Sequence, residues 1–150
     1  MGKRKNVMVE HRGGGEVRVI PAKRIDEYAR WRGLLNAQDA EAERRIHDAI
    51  NEYVETRVAE DHPVFCSSWI PGLNWEENNG GVYQPIYESI LESLGGTEEA
   101  QSLAFRQAGW FFGLIVLDVM ISRQDERWEC WHEAHQWYEE PLGMFYRLLN

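Results

Sequence analysis

The segment Trp110-Phe111-Phe112-Gly113-Leu114-Ile115-Val116-Leu117 constrains this chain most. On a helical wheel it is apolar on every side. A helix of that kind has no face to offer water, so other elements must surround it. The apolar run, Gly109 to Ile121, carries Asp118 and falls short of the roughly 20 residues that cross a bilayer. The segment is therefore expected to be the central helix of a water-soluble domain. Thr97 is its expected cap, with Glu98 and Glu99 suiting the positive N-terminal dipole. Asp118 must find a partner there, because an unpaired buried carboxylate is very costly. An Arg or Trp N–H that fixes helix packing is the structural expectation. A site carboxylate facing a His is the functional one.

Helical spacing recurs on either side of this segment. From Ala22, after Pro21, the residues Ile25, Tyr28, Ala29, Trp31 and Leu35 follow a rough helical pattern, with Gly33 or Asn36 as a possible break. Asp39 suits the start of a second helix. There Ile46, Ile50, Tyr53, Val54 and Val58 form one stripe opposite Glu43, Arg44, Asp48, Glu52 and Glu55. Pro63 restricts His62 and predicts an end near Asp61. Pro85 opens a third helix, which Gly95-Gly96 closes. After the central helix, Asp125 is read as the cap of a fifth, with Trp128, Trp131, His135 and Tyr138 on one face. Val7–His11 and Glu16–Ile20 flank Arg12-Gly13-Gly14-Gly15 and read as a β-hairpin. The fold expected is mainly α: one compact domain over 1–150, a bundle of about five helices with a small N-terminal β-hairpin in an arm of about residues 1–21.

Charge divides the 150 residues unevenly. The net charge is −9, yet residues 1–32 hold nine Lys/Arg against four acids, about +5, leaving −14 for the rest. The arm either docks on the acidic body or touches phosphate. Two cysteines, Cys66 and Cys130, are too few for a disulfide scaffold. The basic start Lys3-Arg4-Lys5 lacks the apolar stretch of a signal peptide. The expected location is cytoplasmic, with no membrane partner.

The order Val17-Arg18-Val19-Ile20, then Ile25-Asp26-Glu27-Tyr28, then Arg45 to Val54 is similar to the strand–helix–helix order of ribbon-helix-helix DNA-binding proteins. It departs from them in the long stretch Gly33–Glu43 and in an apolar strand. A ribbon reads base edges with outward polar side chains, and only Arg18 and Glu16 qualify. No family is assigned on it.

Three sets of residues carry chemical suggestions. Glu129 and His132 form an E-x-x-H pair, one helical face if the segment is a helix. Di-metal bundles use that pair twice, and one copy is present. With His135 and Asp118 it suggests a metal-dependent enzyme. Cys66 before Ser67-Ser68 matches no nucleophile turn and reads as a small buried side chain. The loop 62–83 is long and aromatic, with Trp69, Trp75 and Tyr83 beside Asn74 and Asn78. Rigid aromatics and adaptable amides suit recognition. The leading expectation is a non-enzymatic interaction or regulatory protein that takes a macromolecular partner, most readily a protein, through Trp69, Asn74, Trp75, Asn78 and Tyr83 and an acidic helical surface. The alternatives are nucleic-acid binding through the basic hairpin and first helix, and the metal enzyme. No catalytic residue, metal ligand or cofactor is assigned, and the hairpin edge is compatible with a homodimer.

Overall fold

A computed structural model describes residues 8–12, 15–70, 81–123, 126–134 and 141–149. Among them are four α-helices: α1 (Asp26–Gln38), α2 (Ala42–Val58), α3 (Gln84–Ser93) and α4 (Gln101–Ser122). Five strands accompany them: β1 (Val9–Arg12), β2 (Gly15–Arg18), β3 (Val64–Cys66), β4 (Trp128–Ala134) and β5 (Pro141–Leu148). They form one mixed sheet in the order β2-β1-β4-β5-β3. The protein is mostly helical, but its helices and sheet share a core.

The expected hairpin is present, since β1 and β2 pair antiparallel from Val9↔Arg18 to Arg12↔Gly15. It is not a separate arm. β1 also pairs in parallel with β4, so the hairpin forms one side of the sheet. That pairing satisfies the backbone groups a lone hairpin leaves to water. It also differs from a ribbon-helix-helix ribbon, in which the strand pairs with another chain.

The fifth helix is the main correction. The segment from Trp128 is strand, and β4 pairs antiparallel with β5 from Trp128↔Leu148 to Ala134↔Pro141, with an irregularity between His132 and Ala134. Trp128 and Trp131 sit three apart, which fits a helix. Trp128 and Cys130 sit two apart, which fits a strand, and both are buried. Pairing with strands distant in sequence decides between the two periods. His135 and Tyr138 lie outside the described residues.

The helices form largely where the sequence places them. α2 buries Ala42, Ile46, Ile50 and Val54, one residue per turn, against α4. The Asp39 carboxylate accepts from the Glu41 N–H at 3.0 Å, and Asp39 O accepts from Ala42 N–H at 3.1 Å, turning the chain into α2. α1 runs through Gly33 without a break. α3 ends where Gly95 and Gly96 take φ of 99° and 68°, which lets the Gly96 N–H reach Leu91 O at 2.9 Å. Thr97 Oγ1 accepts from Ala100 N–H at 3.2 Å and starts the turn that feeds α4.

α4 is the central element, as its composition requires. Phe111, Phe112, Leu114–Leu117, Val119 and Met120 are all buried inside the protein. By length and hydropathy this helix also suffices to cross a membrane, but more than half of its most apolar stretch is enclosed by the rest of the chain. The sheet turns Met8, Val19, Phe65, Trp128, Cys130 and Tyr146 toward the same core. Phe65 is the hub of the sheet side. Its ring stacks on Tyr146 at 5.2 Å and meets the edges of Tyr53 and Trp128, each at 5.7 Å.

Candidate functional site

Strand alternation gives the sheet two faces. Phe65, Tyr146, Cys130 and Glu10 occupy one cross-strand row and are buried on the helix side. The rows on either side of it belong to the other face. One contains Val64, Arg147, Glu129 and Val9. The next contains Cys66, Phe145 and Trp131. Neither Trp131 nor Phe145 belongs to the core cluster or to the side chains packed on it. They are half-buried on the outer face.

Aromatic rings run across this outer face. Trp131 stacks on Phe145 with centroids 5.5 Å apart and planes 15° from parallel. Phe145 meets Trp69 edge-on at 5.7 Å. Trp69 belongs to the short 3-10 turn Ser67–Trp69 that follows β3, and it is 47% exposed. Cross-strand pairing explains the stack, because Trp131 and Phe145 are direct partners in the register. Cations lie at both ends of the row. The Arg147 guanidinium sits over Trp131 at 5.3 Å, and that of Arg57 over Trp69 at 6.0 Å. Each such contact contributes about 0.5–1 kcal/mol where water has access.

Both guanidiniums are held in place. Arg147 pairs with the Glu129 carboxylate, which is buried against the sheet. Arg57 donates to the Tyr53 hydroxyl at 3.0 Å and lies 3.3 Å from Glu60. The bond to Tyr53, more than the neighbouring charge, raises its already high pKa. The surface is therefore a preformed strip of rings with a cation at either end. Each cation is already ion-paired, so the strip offers aromatic and guanidinium contact area without net positive charge.

The carboxylate of the central helix has found a different partner from the one the sequence suggested. The Tyr28 hydroxyl donates to Asp118 Oδ2 at 2.9 Å. Desolvation first, and then the charge of Asp118, raise the Tyr28 pKa far above its ordinary value, so the phenol stays a donor. Arg32 covers the Tyr28 ring at 5.5 Å and bonds Glu43 at 2.6 Å. His47 Nε2 lies 3.9 Å from the same Glu43. A second polar cluster closes the far end of the α2–α4 seam. There Arg123 bonds Glu126 at 2.5 Å, Asn51 at 2.9 Å, and Glu55. Apart from His47 Nε2, which is buried without a hydrogen-bond partner among the described residues, these groups spend their hydrogen bonds on one another and fasten α1, α2 and α4 together.

The sequence-expected site residues separate. Trp69 is on the outer face. Tyr83 is half-buried and packs edge-on against Phe112 at 5.1 Å, so it anchors the chain to α4. Asn74, Trp75 and Asn78 lie outside the described residues. The E-x-x-H pair of Glu129 and His132 lies in a strand and so does not form the single helical face that the spacing suggests. Asp118 is engaged with Tyr28 on the helical side, whereas Glu129 is engaged with Arg147 on the outer face. Among the described residues no three His, Cys, Asp or Glu side chains converge on a metal position. Cys66 is buried with its sulfur 3.1 Å from Ser68 Oγ. Sequence reasoning missed Phe145, Trp131 and the two arginines as a group. Alternation of apolar residues over 141–148 is the available signal.

Comparison with protein-family models, with curated proteins and with solved structures returns no match.

Proposed function

We propose that this protein is a non-enzymatic binding module that takes a macromolecular partner on the outer face of its sheet. The observation that carries the reading is the continuous strip Trp69–Phe145–Trp131, bracketed by Arg57 and Arg147. Aromatic and arginine side chains dominate the energetics of protein surfaces that bind. Core packing does not call for them here, since Trp69 is 47% exposed and Arg147 projects into solvent. The polar clusters elsewhere tie the helices to one another and serve packing. Asn74, Trp75 and Asn78 follow Trp69 in the sequence and belong to the same proposal.

The test is affinity capture from cell extract with and without nuclease, using wild type and Trp69→Ala/Trp131→Ala. Circular dichroism establishes that the variant is folded. The expected result is a set of captured macromolecules that the double variant loses. An unchanged set on folded variant protein overturns the assignment of this face.

A further inference from the structure

The geometry points to the exposed face of the first half of α4 as a self-association surface, occupied by the same face of a second copy of this chain laid antiparallel across it. The residues concerned are separate from the aromatic strip on the sheet. One side of α4 is buried along its length, through Ala104, Ala108, Phe111 and Ile115. On the opposite side the second half is buried as well, through Val116, Leu117 and Met120. The first half of that side is open. Ser102, Leu103, Arg106, Gly109 and Trp110 are all exposed, Leu103 at 41% and Trp110 at 51%. The Trp110 ring is held against the buried Trp31 of α1, with centroids 5.1 Å apart, so it is an anchored ring and not a loose one.

Glycine in a helix interior costs stability relative to alanine. At Gly109 and Gly113 an added Cβ would meet nothing within 4 Å. Packing inside the protein therefore requires neither glycine, and the space above both is free. Small side chains next to exposed apolar ones let a second helix come close and bury them.

Charge names the occupant. Arg106, Glu98 and Glu99 are exposed, and among the described residues none of them forms an ion pair. Glu99 and Arg106 are two turns apart on the same stripe. Two copies of the stripe side by side in parallel would set arginine against arginine and glutamate against glutamate. Antiparallel, about a two-fold axis between residues 102 and 103, they set each Arg106 against the partner subunit's Glu99, with Ser102 and Leu103 at the axis. The same axis carries Trp110 past the start of the partner helix toward the turn of Gly95 and Gly96, where an added Cβ would again meet nothing within 4 Å. Cation and acid, ring and gap, thus lie at matching distances from one axis, which is the self-complementarity an isologous contact needs. Antiparallel helix dipoles favour the same arrangement. A stripe with one arginine beside two glutamates suits neither a polyanion nor an anionic membrane.

The experiment is sedimentation equilibrium of the full chain over a concentration series up to about 1 mM, the weak end of specific association. A reversible monomer–dimer equilibrium is expected. Arg106→Glu should raise its Kd by about tenfold or more, because two symmetry-related attractions become repulsions. Adding Glu99→Arg to Arg106→Glu restores opposite signs and should recover most of that loss. Circular dichroism establishes that the variants are folded. Cross-linking with diamide as the thiol oxidant reads the orientation, since Cys66 and Cys130 are buried. Ser102→Cys, beside the axis, should join two copies through a disulfide. Gly109→Cys should not, because about 13 residues of helix, or about 20 Å, separate it from its symmetry mate. A monomer throughout the series overturns the inference and leaves this face to a different occupant. A dimer whose Kd Arg106→Glu does not change places the interface elsewhere and overturns it too. Failure of Glu99→Arg to rescue Arg106→Glu, or cross-linking of Gly109→Cys as readily as Ser102→Cys, rejects the antiparallel pairing on which the inference stands. None of these outcomes bears on the sheet face, which Trp69→Ala/Trp131→Ala tests separately.

Discussion

Replacing Tyr28 by Phe tests how the central helix tolerates a carboxylate. The Tyr28 ring is fully buried and meets Phe111 edge-on at 5.8 Å, and phenylalanine preserves that packing. The change therefore removes one thing, the O–H that donates to Asp118 at 2.9 Å. A hydrogen bond to a charged group contributes about 1.5–3 kcal/mol. Asp118 is only half-buried and water can replace part of the loss, so the expected cost is near the lower end, about 1.5 kcal/mol. In a domain of this size that lowers the melting temperature by roughly 3–6 °C. Asp118→Leu alone should also destabilise, because it leaves the Tyr28 hydroxyl buried without an acceptor. With both changes made, neither partner is stranded, and the double variant should be more stable than the sum of the single changes implies. Urea unfolding followed by circular dichroism gives the three differences. Tyr28→Phe within about 0.3 kcal/mol of wild type, or a coupling energy near zero, the usual scatter of independent sites, would refute the reasoning.

Phe65→Ala should be far more damaging, by about 3–5 kcal/mol in the same assay, because Phe65 is the shared neighbour of Tyr53, Trp128 and Tyr146. Glu126 has its pKa lowered below the ordinary 4.5 by the bond from Arg123 and secondarily by the Trp128 N–H. Its stabilising contribution is therefore complete above about pH 4.5 and lost as pH falls through the depressed value. Glu126→Gln should be less stable than wild type at neutral pH, and the gap should close on acidification. A gap that widens in acid would contradict that sign. Burial pushes the Cys130 thiol up to about 12, so a thiol reagent at pH 8 should modify it only at the rate of unfolding. Rapid labelling of folded protein at Cys130 would show that the core row is open.

The sequence determined the helical half of this protein by itself. Ile46, Ile50 and Val54 repeat at turn spacing, Gly95-Gly96 and Thr97 mark an end and a beginning, and the apolar run that follows Trp110 is buried almost throughout, although Trp110 itself is 51% exposed. These are local signals, because helix hydrogen bonds close within four residues. The requirement that Asp118 have a partner was also legible, but the identity of that partner was not. Tyr28 lies 90 positions away, and only the crossing of α1 over α4 brings it there. The sheet was decided by tertiary structure almost entirely. β1 meets β4 across more than 110 residues of chain, and Trp128–Ala134 fits either period until that neighbour is supplied. The candidate site inherits this dependence. Trp69, Phe145, Trp131, Arg57 and Arg147 come from four separate stretches of sequence, and their adjacency exists only because strand register sets Trp131 against Phe145 and α2 ends beside the turn after β3. Local periodicity specifies which residues turn inward along one element, whereas a surface assembled from several elements is specified by how they pair.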